Sequence, residues 1–68
     1  MRLTEFERLL TDEFGAERGR FIASSHILSG QQATADELLE RGVDPAQIWE
    51  KICIDFDIPE ERRLGKPL

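Results

Sequence analysis

One histidine, one cysteine and a scatter of acids are the side chains of this 68-residue chain whose types could do chemistry. His26 is the only side chain with an ordinary pKa near neutrality, and two hydroxyls, Ser24 and Ser25, precede it. A general base needs a nucleophile or substrate site and an orienting partner. Adjacent residues on a helix do not face one another, so the Ser-Ser-His run is not a nucleophile–base pair. His26 is instead expected at the edge of an apolar face, bonded to a helix terminus or a carboxylate. Cys53 has Ile52, Ile54 and Asp55 as neighbours. A reactive thiolate would need cations or a helix N-terminus beside it, so Cys53 reads as a small core hydrophobe. Asp55, Asp57, Glu60 and Glu61 could suggest a cation site, but the turn glycine and spaced oxygens of an EF-hand loop are missing. A solvated acidic face is the expectation. There is no Gly-rich phosphate loop, metal-ligand cluster or nucleophile motif. The sequence therefore predicts no enzyme, no cofactor, and no catalytic, cofactor-binding or metal-ligating residue.

Charge narrows the partners. The net charge is −5, and residues 44–61 alone hold six acids against one base, while residues 62–68 hold three bases. An acidic stretch of this kind repels phosphate, because affinity for nucleic acid comes largely from cations that displace counterions. One cysteine cannot close an internal disulfide, which fits a reducing compartment. No apolar run is long enough for a membrane span and no signal peptide is evident, so the cytoplasm is the expected location.

The elements that must position these residues follow from spacing and caps. Thr4 and Glu7 form a capping box ahead of a helix over 5–14, whose stripe is Leu3, Phe6, Leu10 and Phe14, with Leu9 on its flank and Gly15 as its stop. A second helix is expected from about residue 16 to Ser29, with Gly30 after it. No formal charge occurs between Phe21 and Ala35, so this helix reads as central and buried. Thr34 and Glu37 make another capping box, Leu38 and Leu39 anchor a short helix, Glu37 and Arg41 form an i,i+4 pair, and Gly42 ends it. Asp44 then caps the principal helix, with Pro45 first and Gln47 as the returning partner of a third capping box. Ile48, Trp49, Ile52, Cys53 and Phe56 share its inner face. A last turn spans Pro59–Arg63. The fold class is all-α: four helices in a compact bundle plus a short C-terminal helical turn, a single domain over 1–63, with a frayed tail at 64–68.

Residues 34–56 read as a helix-turn-helix-like unit. Its details argue against reading DNA. Leu38 stands where a small residue is wanted, Lys51 where an apolar one is wanted, and the outward face of the second helix offers Gln47, Glu50, Lys51 and Asp55 instead of a row of donors.

The start MRLTEF, the His-Ile-Leu of the second segment, and the run GVDPAQIW-x-x-I-C ending in D-I-P resemble a family of short actinobacterial proteins catalogued as a domain of unknown function. The resemblance spans residues 1 to about 63. It implies no activity, cofactor or catalytic residue. The chain departs from the pattern at Glu7, where an aromatic is expected, and at Ser25, where an acid before His26 is expected. The second departure removes a local acid–His pair.

These features predict a non-enzymatic protein–protein interaction module whose partner presents a basic surface. A helix-turn-helix-like nucleic-acid-binding regulator is the alternative. Ile54 is the one apolar residue off the stripe of the principal helix, about 240° from Ile48 at 100° per residue. The ordinary reading is that the C-terminal turn folds back and Ile58 or Leu64 covers it, or that it is a lone exposed apolar residue. The functional reading makes Ile54 an anchor ringed by Glu50, Asp55 and Asp57.

Overall fold

The computed structural model describes residues 1–64. Its elements are α1 (Leu3–Phe14), α2 (Ala16–Ser25), α3 (Ala35–Glu40), α4 (Pro45–Asp55) and a 3₁₀ turn, Glu60–Arg62. The described residues form no strand, only one isolated antiparallel bridge between Ile27 and Thr34. This is the all-α class and helix number that the hydrophobic spacing predicts. Apart from Leu64, the expected frayed tail lies outside the described residues.

α1 starts earlier than expected. Arg2 is its N-cap and gives no side-chain bond. The Phe6 N–H donates to the Arg2 carbonyl at 3.1 Å, which carries the ladder past Thr4. Thr4 and Glu7 thus lie inside the helix and do not form the predicted capping box. The buried face is Phe6, Leu9 and Leu10, while Leu3 is exposed. Gly15, at φ +86°, ends α1 and serves as N-cap of α2. That single left-handed residue turns the chain back, and α2 packs along α1. Gly19 makes the approach close: a β-carbon there would stand 3.1 Å from the Leu10 carbonyl oxygen.

α2 ends at Ser25, short of the Ser29 expected from its composition. His26 is extended, and side chains of extended chain alternate. Ile27 accordingly points outward at 55% exposure and Leu28 inward at 1%. The Leu28 N–H donates to the Ala33 carbonyl at 3.0 Å, and Ala33 is also buried. The uncharged run is therefore a helix followed by a tucked loop, not one central helix. Phe21, read as part of a buried face, is 68% exposed.

α3 and α4 are closed by the devices their ends require. Thr34 and Glu37 form a full capping box. The Glu37 carboxylate accepts from the Thr34 N–H at 3.0 Å and from its hydroxyl at 3.2 Å, and so is turned to Thr34 in place of the expected pairing with Arg41. Asp44 caps α4 by accepting from the Ala46 N–H at 2.9 Å, and Pro45 is the first helical residue. The bond to Ala46 does the capping, without the predicted return from Gln47. Both helices end in Schellman motifs. In α3, Gly42 is left-handed at φ +85° and the Val43 N–H reaches the Leu38 carbonyl at 3.0 Å. In α4, Asp57 is left-handed at φ +52° and the Ile58 N–H reaches the Cys53 carbonyl at 2.9 Å. The second motif folds Ile58 into the core.

The core lies between α1 and α4, with α3 and the loop before it closing one side. Phe6 meets Trp49 edge-on at a ring-centroid distance of 6.4 Å. Ile48, Ile52 and Cys53 are buried beside Trp49, while Phe56 is only partly buried. The Trp49 indole N–H donates to the Arg63 carbonyl at 2.7 Å. Burial of an indole is favourable when its N–H finds an acceptor, and here that acceptor ties down the C-terminal turn. Arg62 adds a pair of hydrogen bonds to Glu13 of α1, at 3.2 and 3.1 Å.

Candidate functional site

The residues singled out as a partner-binding surface all lie on or just after α4, and the structure divides them. Ile54 is 57% exposed, and Glu50 and Asp57 are exposed with it. The C-terminal turn does not cover Ile54. Ile58 turns into the core, and Leu64 is itself exposed. The cause is the left-handed Asp57, which reverses the chain toward the buried side of α4. The acids give Ile54 an anionic border on the helix and on the turn after it.

Asp55 does not belong to that border. Its side chain is only 6% exposed. One carboxylate oxygen, Oδ2, accepts from the Ser29 N–H at 2.9 Å and lies 2.9 Å from His26 Nε2. Burial pushes the Asp55 carboxyl up, but the bonds from the Ser29 N–H and from His26 outweigh it, and the group sits below its ordinary value. It is thus a carboxylate, and the His26 Nε2–H is the donor. His26 has the carboxylate partner that the sequence predicts, but the acid comes from α4 and not from the neighbouring position 25. The pair is a brace. It stops α2, holds the following loop, and explains why helix does not continue to Ser29. The His26 ring also lies 4.8 Å from the Phe56 ring, which meets Phe14 at 5.2 Å.

Cys53 is fully buried, and desolvation raises its thiol pKa. It is a core residue, as its neighbours predict. No three His, Cys, Asp or Glu side chains come together as a metal site would need, among the described residues. No helix of the described residues is long and apolar enough to cross a membrane. The α3–α4 pair has the connectivity of a helix-turn-helix, with a short turn through Gly42. Its charged groups are mainly acids, and one of these, Asp36, is tied to Arg20 of α2.

One feature escaped the sequence reading. A surface groove of about 370 Å³ is lined by Arg18, Phe21, Ile22, Ser25, His26 and Phe56. A helical projection of α2 holds the signal. Set Phe21 at 0°; Glu17, Arg18, Ser24 and Ser25 then all fall within about 60° of it. Phe21 is flanked by polar residues on both sides, the same pattern that isolates Ile54 on α4. The uncharged run from Phe21 onward hid it.

The model of a family described as a protein of unknown function (DUF3046) matches residues 1–61. No curated protein and no solved structure matches the chain.

Proposed function

We propose, for a chain that belongs to the DUF3046 family of proteins of unknown function, that it is a non-enzymatic protein–protein interaction module acting in the cytoplasm. Its docking face is the outer side of α4, with Ile54 as anchor and Glu50 and Asp57 as an acidic rim, and its partner presents a basic surface around an apolar pocket. Asp55 is dropped from the contact set because His26 and Ser29 already hold it. The observation that carries this reading is the 57% exposure of Ile54 on a helix whose other isoleucines and tryptophan are buried. Seating an isoleucine side chain fully in a partner would contribute about 1.5–3 kcal/mol. The acids would act mainly on encounter rate and on rejection of wrong partners.

The test has two arms. On heparin and on random duplex DNA at low salt, the chain should flow through. Immobilised as bait in an extract of its native host, it should retain a protein that elutes with salt. Salt-sensitive retention on both nucleic-acid mimics, with nothing held from the extract, would replace this reading with the nucleic-acid regulator built on residues 34–52.

A further inference from the structure

The groove between α2 and the end of α4 is a second surface, separate from the Ile54 face. Its floor and one wall are apolar: Ile22, Phe56 and the exposed ring of Phe21. Its polar groups come from Arg18, Ser25 and His26. His26 is directed to Asp55, which leaves Arg18 and Ser25 to meet an occupant. Arg18 is exposed and takes part in no ion pair among the described residues. At 100° per residue, Arg18 and Ser25 lie about 60° and 40° to the Ile22 side of Phe21, while Glu17 lies about 40° to the other side. Arg18 also sits in the first turn of α2, where no side chain caps the helix and the backbone dipole favours an anion.

No acid is among the described residues that line the groove, where Arg18 is the one formal charge. Glu17, next to Arg18 and exposed, lies on the other side of Phe21, and Asp55 is held by His26 and the Ser29 amide. In a chain of net charge −5, the groove is thus a cationic spot beside an apolar slot. Fixed charges farther off are screened, because the Debye length is about 8 Å at physiological ionic strength.

We propose that this groove docks an acidic segment of a partner protein, with an apolar side chain seated against Phe21, Ile22 and Phe56 and an adjacent carboxylate paired with Arg18. The occupant is a peptide segment and not a small molecule. Small-molecule sites enclose about 70–90% of their ligand, and a wall that is itself 68% exposed cannot do so. A peptide needs only one side chain in the slot and draws the rest of its affinity from flanking contacts. An arginine fork takes a carboxylate with two parallel bonds, which gives the site direction as well as charge.

The test uses the full chain labelled with 15N and three synthetic probes. The first is acetyl-Gly-Asp-Glu-Leu-Phe-Glu-Asp-Gly-amide. The second replaces its four acids by lysine, and the third replaces Leu-Phe by Gly-Gly. Only the first should shift amide signals at physiological salt, and the shifts should centre on Arg18, Phe21, Ser25 and His26. Phe21→Ser and Arg18→Glu should each weaken binding by about tenfold or more, with unchanged melting, since both side chains are exposed. Ile54→Asp should leave it intact, so loss of this site and loss of the α4 docking face are separable results. Equal binding of the lysine probe, shifts centred away from the groove, or no shift with the first probe at millimolar concentration would each overturn the proposal.

Discussion

At the scale of the residue, the brace between Asp55, His26 and the Ser29 amide is the most informative contact in the chain. Asp55→Ala removes the charged acceptor shared by His26 and the exposed Ser29 amide, and a hydrogen bond to a charged group contributes about 1.5–3 kcal/mol at most where water can take its place. A urea titration of the two proteins measures this. The same contact has a pH signature. The Asp55 carboxyl is held below its ordinary value in the folded state, so its contribution is complete above the unfolded pKa of about 3.9 and is lost as pH falls through the lower folded value. Asp55→Asn cannot titrate. Its stability should therefore fall less steeply than that of the parent as pH drops below about 4, from the unfolded pKa down through the depressed folded one. Parallel curves would mean that other carboxylates, such as those of Glu37 and Asp44, account for the acid sensitivity.

At the scale of the element, two Schellman motifs differ in one residue. Gly42 fills the left-handed position after α3, and Asp57 fills it after α4. A residue with a β-carbon is disfavoured there by about 1–2 kcal/mol. Asp57→Gly should thus raise the melting temperature, and Gly42→Ala should lower it. If Asp57 also belongs to the docking rim, the stabilised variant should hold a basic partner less well. A variant that gained stability and held the partner unchanged would remove Asp57 from the rim. Some caps made by near neighbours could be read from the sequence, namely Thr34 with Glu37, Asp44 ahead of Pro45, and Gly15 and Gly42 as stops, whereas the boxes expected at Thr4–Glu7 and Asp44–Gln47 do not form. The end of α2 could not be read, because its competitor for the Ser29 amide is Asp55, 26 positions away. Gly19 looked like a mere cost to helix propensity. Its reason is the Leu10 carbonyl of another helix, 3.1 Å from where a β-carbon would go. Leu10 is only nine positions away, but the one local sign that α1 and α2 touch there is the turn at Gly15.

At the scale of the whole molecule, a chain of 68 residues has little stability to lose, and α4 buries Ile48, Trp49, Ile52 and Cys53 in its core. Trp49 joins α1 through Phe6 and the C-terminal turn through Arg63. Trp49→Ala should cost about 3–5 kcal/mol, which can equal the whole stability of a domain this small; circular dichroism should show a broadened or absent transition. The buried side of α4 was legible because helical spacing reports it directly. The outer surface was legible in part. Ile54 stood out against its polar neighbours, whereas Phe21 was concealed by an uncharged run that looks like core. What the molecule does with these exposed residues is decided most directly by Ile54→Asp, measured for melting and for capture side by side. The substituted side chain is on the surface, so the melting temperature should stay within the range of ordinary surface changes, about 0.5 kcal/mol either way, while the salt-eluted partner held by the parent chain should be lost. A variant that melts like the parent and still holds that partner would contradict the docking role of α4.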